Sequence, residues 1–204
     1  MKNSLTVLLM LMVASGCLLA QSNEVAVTFG LTVSPKVTAA AGCGEAIPCP
    51  TPPPPVPTSP GKGFAWQATF AHRIASFGMA SLALELPVVG TPSRSQDFLP
   101  FDHYSSLFFT PSVQVKILPG ARVSPFASVG GGLARFEGLG GAANTGALQF
   151  GGGVDFKTPL PHLAVRVEGR DFISGKPNSF LPLGGFTSNH LQHVFAGGGI
   201  VLKF

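Results

Sequence analysis

The chain has 204 residues, with Gly 26, Pro 19 and Phe 17, only 11% charged residues and a formal net charge of +4 at pH 7. Soluble domains carry about 25% charged residues, so this charge content and a mean hydropathy of +0.38 argue against an ordinary soluble surface. The cations are spread along the chain and form no basic stripe with interleaved aromatics of the kind nucleic-acid binding needs, and after the amino-terminal segment no run of 18 apolar residues makes a transmembrane helix.

Lys2 is followed by an apolar run from Leu5 to Val13 and then by small residues, the pattern of a secretory signal peptide. Cleavage after Ala20 is the simplest reading, although Leu18 is not the small residue preferred two positions earlier. It leaves residues 21–204 as one domain. In a second reading Ala14-Ser-Gly-Cys17 resembles a lipoprotein box, with Cys17 as an acylated amino terminus, but the usual Leu is missing at its first position.

From Glu24 onward the chain reads as eight alternating segments, each near the ~9–11 residues that a tilted strand needs to cross a bilayer. The first sets Val25, Val27, Phe29, Leu31 and Val33 against Glu24, Ala26, Thr28, Gly30 and Thr32. The second sets Phe64, Trp66, Ala68 and Phe70 against Ala65, Gln67, Thr69, Ala71 and Arg73, and the third sets Ala80, Leu82, Leu84 and Leu86 against Ser81, Ala83 and Glu85. In the fourth, Leu107, Phe109, Val113, Val115 and Ile117 oppose Phe108, Thr110, Ser112, Gln114 and Lys116. The fifth, Arg122 to Arg135, is blurred by Pro125 and Gly130-Gly-Gly132, and the sixth spans Ala147 to Lys157. The seventh, His162 to Asp171, alternates Leu163, Val165 and Val167 with Ala164, Arg166, Glu168 and Arg170. The eighth, Gln192 to Phe204, turns Val194, Ala196, Gly198, Ile200, Leu202 and Phe204 one way and His193, Phe195, Val201 and Lys203 the other.

Short connections around Ile74, Pro119-Gly120 and Thr158-Pro-Leu-Pro161 alternate with longer ones at residues 34–62, 88–104, 137–145 and 172–190. This asymmetry suits a membrane barrel with tight periplasmic turns, longer external loops and both termini periplasmic. The first external loop holds Thr51-Pro-Pro-Pro-Pro-Val-Pro57, expected as a stiff polyproline spike. It also holds Cys43 and Cys49, which in an oxidising compartment are expected to close a small disulfide loop.

One face of the strands is oily and the other gathers charge, so lipid takes one side and a polar lumen the other. Glu24, Arg73, Glu85, Lys116, Asp155, Lys157, Arg166, Glu168, Arg170 and Lys203 fall on the lumen face. Since unpaired buried charge is costly, they are expected to pair in a structural network centred on Glu85, Lys116, Asp155, Lys157, Arg166, Glu168 and Arg170. An eight-stranded barrel has an interior that side chains fill, which makes it a plugged cylinder. The runs Gly130-Gly-Gly132, Gly151-Gly-Gly153 and Gly197-Gly-Gly199 recur within strands. A turn over residues 158–161 would set Gly153 opposite Arg166 and Gly151 opposite Glu168, leaving bare backbone beside long charged side chains. Tight curvature of a small barrel is an alternative cause.

The terminal strand, with Ile200, Leu202 and Phe204 on its oily face, resembles the last strand of bacterial outer-membrane β-barrels. Strand number, face alternation and loop asymmetry make the whole mature chain similar to the OmpA/OmpX-like family. The resemblance implies an all-β, eight-stranded antiparallel up-and-down transmembrane barrel behind a signal peptide. It also implies that Ile200, Leu202 and Phe204 form the signal read by the barrel-assembly machinery. The expected partners are outer-membrane lipid, that machinery and whatever meets the external loops, and the expected state is a monomer.

The primary expectation is therefore a non-enzymatic barrel that stabilises the envelope or displays its loops, with no cofactor and no metal. An alternative is a lipid hydrolase: His103-Tyr-Ser105 resembles the His-x-Ser pair of outer-membrane lipid A deacylases, in which His takes the proton of the Ser nucleophile. The sequence identifies no acid to orient that His. A third reading is a soluble secreted β-barrel or sandwich. His190 and His193 could share a metal, although such His residues more often serve as hydrogen-bonded structural groups. The apolar loop segments Gln96-Asp-Phe-Leu-Pro-Phe-Asp-His-Tyr104 and Phe180-Leu-Pro-Leu-Gly-Gly-Phe186 either pack on each other or meet a partner.

Overall fold

The computed structural model describes residues 23–35, 37–39, 56–58, 62–95, 103–138, 141–175 and 190–204. The expected signal peptide, Cys17, the expected pairing of Cys43 with Cys49 and the Phe180–Phe186 segment lie outside the described residues, as does most of the proline run. The described residues form eleven strands: β1 Asn23–Val33, β2 Val37–Ala39, β3 Val56–Thr58, β4 Lys62–Phe77, β5 Ala80–Ser95, β6 His103–Phe109, β7 Ser112–Ile117, β8 Val123–Gly138, β9 Gly141–Lys157, β10 Leu163–Gly175 and β11 His190–Lys203.

Alternation of apolar and polar residues makes each long segment a strand with one face for each environment. β6 and β7 are two halves of one wall strand, separated at Thr110-Pro111, and both halves pair with β5 on one side and β8 on the other. Pro111 has no N–H to give the ladder, so the break falls there. β1 pairs with β4 and also with β11, from Glu24 opposite Lys203 to Val33 opposite Val194. The sheet thus closes into an eight-stranded antiparallel up-and-down barrel. Closure removes the sheet edges that an open β-structure must protect. β2 and β3 form a separate two-stranded ladder.

The turns at residues 78–79, 118–122 and 158–162 share one end of the barrel with Asn23 and Phe204, whose backbones exchange two hydrogen bonds of 2.9 Å. The connections after β5, β8 and β10 leave from the opposite end. The connection expected around Ile74 is a β-bulge: β4 runs on to Phe77, its register shifting between Arg73 and Ala75, and the turn is Gly78-Met79 with Gly78 at φ 60. One extra residue in a strand interrupts the period-two pattern as a turn does. The expected loops 88–104 and 137–145 also shrink, because β5 continues to Ser95 and β8 and β9 extend to Gly138 and Gly141. Beyond the apolar belt these strands lose their oily face, and with it the signal that marked them.

Side-chain exposure is the reverse of that in a soluble protein. Phe29, Leu31, Phe64, Val129, Leu148 and Val167 are all between 51% and 63% exposed on the outside, while Glu85, Asp155, Arg166 and Arg170 are no more than 2% exposed inside.

Candidate functional site

The lumen is filled in layers. Nearest the turn end, Lys116 of β7 contacts Glu24 at 2.5 Å and Asp155 at 2.8 Å. Arg166 of β10 grips Asp155 through Nε at 2.7 Å and Nη2 at 3.0 Å and approaches Glu24 at 3.5 Å. Its guanidinium also lies 4.4 Å from the centre of the Phe126 ring. Lys203 closes this layer at 4.0 Å from both Glu24 and Asp155.

In the next layer Arg170 donates to Glu85 through Nη2 at 2.7 Å and Nη1 at 3.2 Å, and to Glu168 through Nη2 at 2.9 Å and Nε at 3.0 Å. Ser112 and Gln114 donate to Glu85, and Thr28 and Gln67 donate to the free oxygen of Glu168. Four carboxylates thus meet four cations, and hydroxyls and amides take further lone pairs of Glu85 and Glu168. This satisfaction is the condition under which buried charge is tolerated. Above it Gln149 bridges Thr110 and Ser128 at 2.8 and 3.1 Å. The layer towards the loop end is aromatic: Phe108 lies 4.7 Å from Phe172 and 5.8 Å from Phe136, ring centre to ring centre, and His193 packs on both Phe108 and Phe136. His193 Nδ1 is 2.7 Å from the Ser34 hydroxyl.

Of the seven residues expected at the heart of the network, Glu85, Lys116, Asp155, Arg166, Glu168 and Arg170 come together here. Lys157 does not: it stands exposed at the end of β9, in none of the ion pairs among the described residues. It follows Asp155 on the same face, but the wall ends there and the side chain meets solvent. Arg73, beside the bulge in β4, is likewise partly exposed and outside the network.

The glycine pairing also differs from expectation. Glu168 faces Gly153, Arg170 faces Gly151 and Arg166 faces Asp155, two residues away from the expected register. The last pair is Lys157 with Ala164, so residues 158–163, and not 158–161, lie between paired positions. The physical relation holds in the shifted register. A Cβ on Gly151 would sit 2.8 Å from Arg170 Cγ, and one on Gly153 would sit 2.8 Å from Glu168 Cβ.

Ile200 and Leu202 are 50% and 48% exposed on the outer face, and Phe204 follows the end of β11. His190 is exposed while His193 is buried in the lumen, and among the described residues no group of three or more His, Cys, Asp or Glu is placed to hold a metal ion.

Among the described residues, concavities mark the outer wall towards the loop end. One of about 460 Å³ is lined by Gly131, Gly146, Leu148, Ile173, Gly175 and His190 and is almost wholly apolar. Another, about 210 Å³, lies among Trp66, Gly90, Pro92, Ser105, Arg135 and Glu137. There Ser105 pairs in register with Glu137, and Glu137 Oε1 accepts from Arg135 Nη2 at 2.6 Å and Nε at 2.7 Å. His103 pairs through its backbone with Ser95, and its side chain lies outside the described residues. Glu137 is a carboxylate that sequence spacing did not bring to Ser105: 32 positions separate the two in the chain, and only the β6–β8 register joins them.

No protein-family model and no curated protein sequence matches the chain. Solved structures do. Neisserial surface protein A matches over 90% of this chain and 97% of its own, at 14% identity and a TM-score of 0.55. The outer membrane protein OprG from Pseudomonas aeruginosa matches over 90% and 97%, at 11% identity and 0.52. The outer membrane protein AlkL, solved in DMPC lipid bilayers, matches over 90% of each chain at 12% identity and 0.52. The chain has the fold of the small eight-stranded outer-membrane barrels, an OmpA/OmpX-like architecture.

Proposed function

We propose that this protein is an integral outer-membrane barrel without enzymatic activity, a closed cylinder that braces the envelope and carries its specificity in the connections at the loop end. The observation that carries this reading is the inverted distribution of side chains, with paired charge inside and large apolar groups outside. A soluble barrel would leave that apolar belt in water, where so large a patch drives association. An even strand number puts both termini on one side of the membrane, and in this reading that side, with the short turns, faces the periplasm and the long connections face outward. The packed ion-pair and aromatic layers make it a plug: reconstituted in a planar bilayer, the refolded protein should add no steady ion conductance. Stepwise openings of uniform size would instead make it a pore.

One observation favours a second reading, an outer-leaflet acyl hydrolase. Ser105 lies across the ladder from Glu137 and two residues after His103 on β6. Nucleophile and base need this kind of proximity, and Glu137 adds a carboxylate beside the nucleophile. In that chemistry Ser105 takes the acyl group from an ester, the alcohol leaves, and water releases the fatty acid. Expression in an outer membrane followed by mass spectrometry of lipid A decides it: loss of an acyl chain, abolished by Ser105→Ala, supports the hydrolase, and unchanged lipid removes it.

A further inference from the structure

We infer that the cleft between Trp66 and Glu137 is a lateral seat for the headgroup of a phosphorylated glycolipid of the outer leaflet. The inference rests on the reading of the chain as an outer-membrane barrel and is independent of any hydrolysis. The cleft lies on the outside of the wall, so the molecules that reach it are those of the surrounding leaflet. From the β4–β5 turn to Trp66 is most of the length of β4. At about 3.3 Å per residue and a tilt of about 40°, this puts Trp66 roughly 25–30 Å above the turn end, where an apolar belt about 25 Å tall gives way to headgroups.

Three features of the cleft suit a sugar phosphate. The first is a fixed aromatic wall. Trp66 pairs with Gly90, and a Cβ there would come within 2.6 Å of indole Cε2 and Cζ2 and 2.8 Å of Nε1. The indole therefore lies against bare backbone, in a position that any larger residue at 90 would displace, and an amphipathic ring at this height suits an interfacial site. The second is the arrangement of polar groups. Arg135 engages Glu137 through Nε and Nη2, which leaves Nη1 to donate to a phosphate, and guanidinium is the group best shaped for phosphate recognition. Glu137 Oε2 and the Ser105 hydroxyl stand ready for sugar hydroxyls. The Arg135–Glu137 pair is about half exposed, so a ligand reaches it without burying a bare charge. The third is the cleft's lower margin, where Leu107 offers an apolar surface to an acyl chain.

Trp66 is the only tryptophan of the chain, so its emission reports on this cleft alone. The experiment titrates detergent-refolded full-length protein that shows a heat-dependent gel mobility, separately with bis-phosphorylated lipid A, dephosphorylated lipid A, phosphatidylglycerol and inorganic phosphate. The expected result is a saturable emission change with phosphorylated lipid A. It should weaken at least tenfold on dephosphorylation or in Arg135→Ala, and it should be absent with phosphatidylglycerol or inorganic phosphate. A flat titration overturns the proposal, as does phosphatidylglycerol binding as well as lipid A, or an Arg135→Ala barrel that binds as the parent does. A parent chain with no heat-dependent mobility would overturn the membrane reading itself, and the gel separates that failure from the failure of the cleft.

Discussion

Arg170 on β10 and Glu85 on β5 meet across the lumen with two contacts, 2.7 and 3.2 Å, and neither side chain has any exposure to solvent. β5 and β10 stand on opposite sides of the closed wall, each four strands from the other around the ring, so this pair is a strut that ties two distant parts of the barrel together. Removing one partner of a buried, hydrogen-bonded charge pair strands the other and costs about 3–5 kcal/mol. Arg170→Met, which abandons both Glu85 and Glu168, should lower the unfolding free energy of the barrel in lipid vesicles by at least that much. Adding Glu85→Gln to the same chain should restore part of the loss. Urea titrations followed by gel mobility measure both, and an additive double variant would mean that the two residues do not act as a unit.

The glycines opposite the charged side chains give a sharper contrast. Gly153→Ala would drive a methyl group against Glu168 and the Val167 carbonyl, whereas a Cβ on Gly146, in the same strand, meets nothing within 4 Å. Overpacking of this kind costs about 1–3 kcal/mol, and an unobstructed surface change stays within about 0.5 kcal/mol. The expected order of urea midpoints is parent equal to Gly146→Ala and both above Gly153→Ala; equal midpoints for all three would show that the lumen has slack at Glu168.

The outer face separates lipid from water directly. Val129 is 53% exposed and lies between Val113 and Phe150 in the ladders. In a bilayer, Val129→Arg places a charge in the apolar belt and costs about 2–4 kcal/mol. On a soluble protein the same exposed substitution would be near neutral. Folding yield into vesicles, compared with Lys157→Arg at the exposed turn end, measures the difference. A Val129→Arg yield equal to that of the parent would place this face in water.

The aromatic layer should act by packing and not by gating. Phe195 is 1% exposed in the cluster with Phe108, Phe136 and Phe172. Truncating a buried Phe to Ala costs about 3–5 kcal/mol. Phe195→Ala should therefore unfold at lower urea while remaining electrically silent in a planar bilayer, because the Arg170 and Arg166 layers beneath it are intact. A conducting variant would show that the aromatic layer alone closes the barrel.

Faces were the most legible feature of this chain, because strand alternation has a period of two and needs no partner: Val165, Arg166 and Val167 declare outside, inside and outside wherever the strand sits. Register was less legible, because it depends on how many residues a turn consumes; an unforeseen extension of the connection after Lys157 moved Glu168, not Arg166, opposite Gly153. Ile74 looked like a turn because a bulge and a turn break alternation in the same way. The ends of β5, β8 and β9 were hidden once their outward residues stopped being apolar. The partner of Ser105 was hidden more deeply still, since Glu137 becomes its neighbour only when β6 and β8 are in register.

Whether this chain is a closed barrel held in the outer membrane is read from its mobility in SDS gels, boiled against unboiled, from detergent-extracted outer-membrane fractions. With every strand of the barrel wall paired on both sides, the wall offers SDS no open sheet edge from which to peel it apart. A membrane-held barrel gives two mobilities, with the unboiled form separate from the heated one and recovered only with detergent. A single mobility from protein found in the soluble fraction would contradict it, and the apolar outer face would then have to be buried against something other than lipid.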